Sequence, residues 1–479
     1  MKCKKILAAL LGLTLAGSSM LPVCAAGERT TPDPNADGVF DILDVISVSK
    51  YLHLRGELVK PAEADMDGNG EVDIFDLALI LRELVWLNRE PLALASKDLT
   101  ANMQAAPMEY VALDADFSIG QTKFALELLH ETAKERVGEN VLVSPYSVAQ
   151  ALGMTANGAA GETLSEMEQV LGGSMETLNP AFYTFRDTAQ KQECVKLHTA
   201  NAIWVRDGYP VSSAFLQKNA DYYGAGAFEA PFDQSTVGDI NEWVNENTDR
   251  MIPTLLNEIS GNTELILVNA VAFDAKWMLP YDESALSDEN FTAADGTEQA
   301  AVMMNGSSEI YLSDDHAEGF LQYYNGKRYA FAAILPEEGM TPEAYLDGLT
   351  PEGLYTMLSE PEHCPVLTKL PEFSYDFSAD LEGQLQNMGM VYAFDEEAAD
   401  FSGMTDVPNH LSIDRVIHKT CIDVTPGGTR AAAATGVLMA DNAIPVYEKE
   451  ISLDRPFVYA IVDTETSVPI FIGTVNSIG

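Results

Sequence analysis

Basic residues are scarce in this chain. Its 479 residues contain 28 Lys and Arg against 73 Asp and Glu, which gives a formal net charge of -45 at pH 7. Binding to nucleic acid or to an anionic membrane surface requires clustered Lys and Arg side chains that contact phosphate groups. The sequence therefore predicts a protein with neither nucleic acid nor membrane among its partners.

Cysteine is also rare, with five residues in the whole chain. Cys3 and Cys24 lie within the first 26 residues. Cys194, Cys364 and Cys421 are too widely spaced for a disulfide framework or a zinc site. We expect these three thiols to be buried structural residues.

Long apolar runs are missing except at the N-terminus. Three lysines precede the apolar run 6–17, which is too short to span a bilayer comfortably, and the small residues of VCAA suit cleavage. The bulky Val23 before Cys24 argues against a lipid anchor at that cysteine. Residues 1–26 are therefore predicted to be a signal peptide, and the mature protein is expected to be secreted.

Enzyme motifs are missing as well. No H-E-x-x-H, G-x-S-x-G, phosphate-binding loop or dinucleotide fingerprint occurs in the chain. The glycine-rich stretch 157–163, NGAAGET, lacks the lysine that a phosphate-binding loop needs and is expected to be a turn. The chain is therefore not expected to be an enzyme.

Two acidic twelve-residue segments lie near the N-terminus, DPNADGVFDILD at 33–44 and DMDGNGEVDIFD at 65–76. Each has Asp or Asn at positions one, three, five and nine, Gly at six and Asp at twelve. Calcium prefers six to eight oxygen ligands, and the glycine permits the sharp turn of such a loop. The sequence predicts two calcium ions. Their expected ligands are Asp33, Asn35, Asp37, Val39, Asp41 and Asp44 in the first loop and Asp65, Asp67, Asn69, Glu71, Asp73 and Asp76 in the second.

An amphipathic helix is expected after each loop, because apolar residues recur there at helical spacing. The first helix is predicted to bury Val45, Ile46, Val48 and Leu52. The later segment 89–112 contains two prolines and small residues without clean periodicity, which predicts a linker.

Residues 31–88 resemble a type-I-like dockerin, a small α-helical module that docks bacterial proteins into cohesin modules of a cellulosome scaffold. The resemblance implies calcium-dependent docking, with loop positions ten and eleven helping to choose the cohesin. These positions are apolar in both loops, so burial of apolar surface is expected to drive docking. The cohesin-binding residues would be Ile42, Leu43, Ile74 and Phe75.

From about Leu113 the chain contains longer helical and strand-like segments. Segments 117–135 and 239–256 have the apolar spacing of helices, whereas 264–273 and 469–475 are rich in Ile, Val and Phe and predict buried strands. Helices and strands do not follow a regular βαβ order, which favours an α+β fold for residues 113–479.

Five separated segments of this region resemble the serpins, a family of serine protease inhibitors, and occur in the serpin order. They are NVLVSPYSVAQAL at 140–152, LVNAVAFDAKW at 267–277, VIHKTCIDVTPGGTRAAAAT at 416–435, ISLDRPFVYAI at 451–461 and PIFIGTV at 469–475. The resemblance implies the serpin fold, in which helices surround three β-sheets and a reactive loop is exposed. It implies no cofactor and no catalytic residue for this domain, because the target protease supplies the chemistry.

The alanine-rich stretch would be the hinge of that loop. In inhibitory serpins, an established case of strand addition, the hinge enters the central sheet after a protease has cut the loop. Small uncharged side chains cost little to desolvate between two strands, whereas a buried unpaired charge costs far more. The hinge residues are Gly428, Thr429, Ala431, Ala432, Ala433, Ala434 and Thr435.

Two positions depart from the family pattern. Pro426 stands where an acidic residue is usual, and it lacks the backbone donor that strand pairing uses, which would slow or shorten pairing at that end. Arg430 stands where Glu is common. Because side chains alternate along a strand, Thr429 is expected to point under the sheet and Arg430 outward.

The resemblance also assigns residues that control the sheet rather than catalyse a reaction. Ser144, Ser147, Asn269 and His418 match the polar shutter cluster beneath the sheet opening. Trp277 matches the breach tryptophan, where insertion begins.

A count of fifteen residues from the hinge glycine places the reactive bond between Asn442 and Ala443. The count is good to about three residues, so a cut beside Leu438, Met439, Ala440 or Asp441 remains an alternative. Residues 437–446 contain no Lys or Arg, which argues against a trypsin-like target. The expected partners are serine proteases of the subtilisin, elastase or chymotrypsin type, with an asparagine-cutting cysteine protease as a minor alternative.

These interpretations predict an extracellular suicide inhibitor of serine proteases that is tethered to a cellulosome by its dockerin. A non-inhibitory serpin, acting as a binding or structural module on the scaffold, is the alternative that Pro426 keeps open. An enzyme carried by the dockerin lacks any supporting motif.

Overall fold

The computed structural model describes residues 34–37, 40, 42–54, 58–64, 72, 76–77, 80–81, 84, 94–101, 103–191, 195–248, 250–261, 263–405, 411–429 and 447–478. These residues belong to two compact units, one before Leu94 and one from Leu94 onward. No helix within these ranges has both the length and the apolar character that a membrane span requires.

The first unit is helical. It contains α1 (Ile42–Leu54) and α2 (Pro61–Ala64), and residues 76–77, 80–81 and 84 are also helical. Phe40 and Val72, which occupy position eight of the two loops, pack against its small core. The core consists of Val45, Val48, Leu58, Ala64, Leu77 and Ile80.

One residue of α1 departs from the prediction. Ile46, expected in the core, is 39% exposed. Successive residues of a helix are turned by about 100°, so the face that buries Val45 and Val48 leaves Ile46 at the side.

The second unit surrounds its sheets with helices. They are α3 (Ala115–Lys134), α4 (Pro145–Ala156), α5 (Gly161–Leu171), α6 (Met175–Gln190), α7 (Ser213–Tyr223), α8 (Gln234–Asn247), α9 (Pro342–Gly348), α10 (Pro351–Ser359) and α11 (Glu382–Asn387). Helix α8 begins behind the capping Asp233 and is shorter than the predicted helix 239–256. Arg250 has a φ of 63° and Pro253 follows, and neither suits a continuing helix.

The central sheet is mixed. Its order is β1 (Lys97–Asp98), β4 (Gly226–Ala230), β3 (Val195–Arg206), β5 (Leu265–Lys276), β13 (Gly428–Thr429), β12 (Ile417–Thr425) and β11 (Phe373–Asp380). Only β3 and β4 pair in parallel; the other neighbours are antiparallel.

The remaining strands form a second hydrogen-bonded array. Its order is β14 (Lys449–Ser452), β10 (Glu362–Pro371), β7 (Glu298–Ser313), β8 (Ala317–Tyr323), β9 (Tyr329–Pro336), β15 (Phe457–Asp463), β16 (Val468–Val475) and β2 (Val141–Val143), with β6 (Leu286–Thr292) beside β7. Strand β7 pairs with β6 through its first residues, 298–304, with β10 along residues 303–311, and with β8 through its last residues, 311–313. The two smaller sheets expected from the family resemblance are thus joined through one long strand.

The segment expected to be a linker is packed against the large unit from Leu94 onward. Lys97 and Asp98 pair with the edge strand β4, and the Leu99 amide donates to the Ala227 carbonyl at 2.8 Å. The Val111 amide donates to Thr184 Oγ1 at 3.0 Å. An edge strand offers unpaired backbone groups to any passing segment, which a search for apolar periodicity does not detect. Residues 94–101 and 103–112 are termed the strap below.

A large apolar core lies between the sheets and helices α3 to α7. A second apolar cluster, termed the α8 cluster, joins Val237, Ile240 and Val244 of α8 to the outer face of β3, β4 and β5. Of the three cysteines expected to be buried, Cys364 is buried, Cys421 is half-buried and Cys194 lies outside the described residues.

Candidate functional site

The most informative feature of the central sheet is the two-residue strand β13. Gly428 and Thr429 lie opposite Lys276 and Ala275 of β5, and opposite Thr425 and Val424 of β12. Within the described residues, β5 and β12 are paired only through β13. The gap between β5 and β12 beyond Thr429 is termed the slot. The hinge therefore starts as a strand at the upper end of this slot.

Pro426 lies in the turn that leads from β12 into β13. Its carbonyl accepts a hydrogen bond from the Tyr281 amide at 3.0 Å, and the Gly427 carbonyl accepts one from the Trp277 amide at 3.0 Å. The missing donor of Pro426 thus falls in the turn, outside the paired residues of β12 and β13.

Gly428 is required by close backbone contact. Its φ is 153°, and a Cβ atom at this position would lie 2.1 Å from the Ala275 carbonyl oxygen. No side-chain rotation can relieve a clash with backbone, so a larger residue would displace β13 from β5.

Thr429 points toward the core, as expected from alternation. Its side chain is 2% exposed, and its hydroxyl is hydrogen-bonded to the hydroxyl of Tyr324. Tyr324 stacks on Trp277 with ring centroids 4.6 Å apart. An aromatic floor therefore receives the first inward hinge residue.

Trp277 ties this floor to the turn. Its indole Nε1 donates to the Thr425 carbonyl at 2.9 Å, and its side chain is 1% exposed. The residue assigned to the breach thus touches the hinge strand's own turn and the neighbouring β12. Sequence reasoning missed Tyr324, which carries no motif signal of its own.

The four shutter residues lie together lower in the slot. Ser144 caps α4: its amide donates to His418 Nε2 at 3.0 Å, and its hydroxyl donates to the Ile470 carbonyl at 2.8 Å. The Ser147 amide donates to Ser144 Oγ at 3.3 Å, and the Ser147 hydroxyl donates to Asn269 Oδ1. The start of α4 therefore links β12, through His418, to β5, through Asn269.

Asn201 extends this cluster and was missed from the sequence. It lies opposite Asn269 in the pairing of β3 with β5, and Asn269 Nδ2 donates to Asn201 Oδ1 at 2.5 Å. Only the register of the two strands brings the residues together, because they are 68 positions apart in the chain.

Burial lowers the pKa of His418 to about 4. The ring nitrogen Nε2 accepts a hydrogen bond from the Ser144 amide, which assigns the proton of the neutral ring to Nδ1. Protonation of Nε2 would abolish this bond, so the shutter is built around an uncharged imidazole.

The lower slot opens into a cavity of 1110 Å³. Ser147, Asn269 and His418 line it beside apolar residues such as Leu265, Leu267 and Ile413. This wall combines apolar surface with the polar shutter residues.

The remaining assigned loop residues lie outside the described residues. They are Ala431, Ala432, Ala433, Ala434, Thr435, Leu438, Met439, Ala440, Asp441, Asn442 and Ala443, together with Arg430.

The calcium loops of the first unit are described in part. The buried carboxylates of Asp44 and Asp76 stand at position twelve of the two loops. In the first loop the Asn35 amide donates to Asp44 Oδ1 at 3.3 Å, and the Asp37 amide donates to Asn35 Oδ1 at 2.8 Å. This folds oxygen-bearing side chains onto each other around a turn, which fits a hard cation.

Eight predicted ligands of calcium lie outside the described residues: Asp33, Val39, Asp41, Asp65, Asp67, Asn69, Glu71 and Asp73. Among the residues that are described, no three His, Cys, Asp or Glu side chains form a metal-binding group. Of the predicted cohesin-binding residues, Ile42 and Leu43 are 41% and 50% exposed on α1, and Ile74 and Phe75 lie outside the described part.

The mixed central sheet with the short strand β13 between β5 and β12, the second array of strands and the surrounding helices together define the class of proteins with the serpin fold. The sequence model of the serpin (serine protease inhibitor) family matches residues 120–478, and that of the dockerin type I domain matches residues 31–85. The chain belongs to the serpin family and carries an N-terminal dockerin type I domain, a module of cellulosomal proteins.

Individual relatives agree with this assignment. An uncharacterized serpin-like protein of Thermococcus kodakarensis is 33% identical over 73% of this chain and 83% of its own length. The crystal structure of the thermophilic serpin tengpin in the native state is 39% identical, with a TM-score of 0.75 over 80% of this chain and 99% of tengpin. The crystal structure of tengpin in the latent state is 36% identical in sequence, with a TM-score of 0.69 over 78% of this chain and 100% of that structure.

Proposed function

We propose that this chain is a secreted suicide inhibitor of serine proteases, held on a cellulosome scaffold by calcium-dependent docking to a cohesin. The observation that carries the inhibitory half of this proposal is β13, which lies between β5 and β12 and pairs with both. Among the described residues, β13 is the only strand between β5 and β12, so a strand that continues beyond Thr429 has a defined path along which to extend.

The register of β13 supports continued insertion. Six residues beyond Thr429 is Thr435, six before Ala275 on β5 is Asn269, and six before Val424 on β12 is His418. Extension in the observed register therefore carries Thr435 between the two halves of the shutter.

The inward positions of the extended strand between Thr429 and the shutter would be small. Alternation from Thr429 directs Ala431 and Ala433 inward, opposite Phe273 and Val271 of β5. Apolar walls accept alanine without leaving a polar group unpaired.

The proposed reaction begins with the protease. Its nucleophile attacks the carbonyl carbon of the reactive bond, an ester forms, and the peptide C–N bond breaks as the new amino terminus takes a proton. Hydrolysis of the ester by water would release active protease. Insertion of about 15 residues at roughly 3.3 Å each moves the tethered protease some 50 Å and must finish before that hydrolysis.

The target class follows from the loop sequence. Residues 437–446 offer Leu, Met, Ala and Asn but no basic residue, which suits proteases of the subtilisin, elastase or chymotrypsin type. We place the reactive bond between Asn442 and Ala443, with the preceding four residues as alternatives.

The dockerin half of the proposal concerns two calcium ions, one in each loop. Asn35, Asp37 and Asp44 would help to hold the first ion, and Asp76 would help to hold the second. Calcium supplies positive charge that offsets the clustered carboxylates, and such binding is commonly coupled to folding of a small domain. The exposed Ile42 and Leu43 would meet the cohesin.

A protease panel tests the inhibitory function. The full chain is incubated with subtilisin, elastase, chymotrypsin and trypsin, followed by denaturing gels and mass measurement. We expect a covalent complex with one of the first three and none with trypsin. Cleavage without a complex would favour the non-inhibitory alternative.

Docking is tested separately by titrating chelator against cohesin binding and against the far-ultraviolet circular dichroism of the full chain. Asp44→Asn and Asp76→Asn should each weaken calcium dependence, with Asp98→Asn in the strap as a control outside the loops. Cohesin binding that persists without calcium would contradict the docking proposal.

A further inference from the structure

The outer side of the slot is covered by the segment that follows α8. Lys419 Nζ of β12 donates to the Thr254 carbonyl at 2.9 Å, and Asn241 of α8 accepts hydrogen bonds from the Leu255 and Leu256 amides at 2.7 and 2.9 Å. The chain then returns to β5 at Leu265. This cover, residues 250–261, therefore bridges from α8 to β12 and back to β5.

A tethered strand cannot be threaded beneath such a bridge. A loop that carries a covalently bound protease has no free end, so the cover must lift and close again for the strand to fill the lower slot. Because Asn241 holds the cover to α8, movement of the cover involves α8 as well.

The opposite side of α8 is tied to the strap. Asp239 accepts hydrogen bonds from the Ala95 amide at 3.3 Å, the Ser96 amide at 2.8 Å and the Ser96 hydroxyl at 2.5 Å. Leu94 packs against the α8 cluster. Two residues of a helix correspond to about 200°, so Asp239 and Asn241 hold the helix from opposite sides.

We propose that Asp239 is a positioning residue for loop insertion: by tying α8 to the strap, it slows the lifting of the cover that insertion requires. This inference rests on the proposed inhibitory function. The strap is in turn anchored to the sheet edge through β1, so α8 is held to a part of the sheet distant from the slot.

Asp221 provides a matched control. It also accepts a strap amide, that of Ala106, at 2.7 Å, but it lies on α7 and holds neither α8 nor the cover. Removing either carboxylate loosens the strap, and only Asp239→Ala frees α8. A merely structural effect would be shared by both variants.

The experiment uses the full chain with calcium. Two quantities are measured: the rate at which uncut protein converts spontaneously to a form that resists urea, and the moles of inhibitor consumed per mole of protease inactivated. For Asp239→Ala we expect conversion about tenfold faster, equivalent to about 1.4 kcal/mol in the barrier. The consumption ratio should move toward one, and Asp221→Ala should stay within about twofold of the parent in both measurements.

Ser96→Ala is a milder second variant that keeps the inference testable if Asp239→Ala does not fold. It removes one of the three hydrogen bonds to Asp239 and leaves the sequence of α8 unchanged. It should shift both quantities in the same direction by a smaller factor. Equal rates for Asp239→Ala and Asp221→Ala, or no shift for Ser96→Ala when Asp239→Ala does not fold, would overturn the inference. A parent protein that gains no stability after loop cleavage would instead refute the proposed function.

Discussion

The two edges of β5 differ sharply. One edge pairs with β3 over eleven residue pairs, from Val195 with Ala275 to Val205 with Leu265. The other edge pairs, among the described residues, with only Gly428 and Thr429. Among the described residues, one edge of this strand is therefore paired along nearly its whole length and the other edge through two residue pairs.

The proposed function places the conformational change of the protein at this second edge. Proteins normally protect exposed strand edges, because unpaired backbone groups invite another strand. Here the edge of β5 that faces β12 lies inside the sheet, and Gly428 and Thr429 occupy its upper end. If the protein is an inhibitor, its uncut state must persist through a kinetic barrier rather than by being the most stable arrangement.

The largest effect on inhibition is expected from Thr429→Arg, which places a charged side chain at the end of the slot where the hinge is already paired. Thr429 is buried against Tyr324, so a guanidinium there must either lose its water without a partner or hold the hinge out. Each 1.4 kcal/mol added to the insertion barrier slows insertion about tenfold, while hydrolysis of the ester is unchanged. The variant should become a substrate, measured as inhibitor consumed per protease inactivated.

Arg430→Glu is the matched control for that variant, since alternation directs residue 430 outward. It should remain an inhibitor. If Thr429→Arg leaves the consumption ratio at the parent value, the hinge assignment and the numbering of the reactive bond are both wrong.

An intermediate effect is expected from pH, which should change the free energy of unfolding through His418 in the shutter. Burial lowers the pKa of His418 to about 4 in the folded state, whereas an unfolded histidine has a pKa near about 6.5. Between these values the unfolded state binds more protons, so the free energy of unfolding falls as pH falls. The free energy of unfolding falls by at most about 1.4 kcal/mol per pH unit and by roughly 3 kcal/mol in total. Above about pH 6.5 the ring is neutral in both states, so the stability is fully present there.

His418→Gln tests this dependence. Denaturant unfolding of parent and variant at pH 7 and pH 5 should show a smaller pH effect in the variant. An unchanged pH effect would mean that His418 is not the group that titrates. It would contradict the conclusion that the shutter depends on a neutral His418 ring.

The smallest effect is expected from Gly428→Ala. The new Cβ would meet the Ala275 carbonyl at 2.1 Å, and such overpacking costs about 1–3 kcal/mol. Hydrogen exchange at the Trp277 amide, which donates to the Gly427 carbonyl, should accelerate as β13 separates from β5. Gly238→Ala, on α8 with no atom within 4 Å of its Cβ position, should leave that exchange unchanged. Equal exchange in both variants would show that β13 does not protect this edge.

Much of this site was predictable from the sequence, because its residues lie in segments with a strong family pattern. The positions of Thr429 under the sheet and of Ser144 beside His418 agree with that pattern. The two twelve-residue loops are predicted to bind calcium from the spacing of their oxygen-bearing side chains, and their ligand set stays a prediction.

Other features depend on contacts between distant residues and left no local signal. Asn201 joins the shutter only through strand register, and Tyr324 reaches Thr429 only through the fold. The strap lacks periodicity because it is held by backbone pairing and by single carboxylates such as Asp239. The exposure of Ile46 reflects its angular position on α1, which apolar content alone does not reveal.

The most direct test of the central claim compares the melting temperature of intact protein with that of protein cut once within residues 438–443. Insertion would give β5 and β12 about ten further backbone hydrogen bonds at roughly 1 kcal/mol each. We therefore expect the cut form to melt more than about 10 °C higher. A cut form that melts at or below the intact temperature would contradict the claim that the slot accepts the loop.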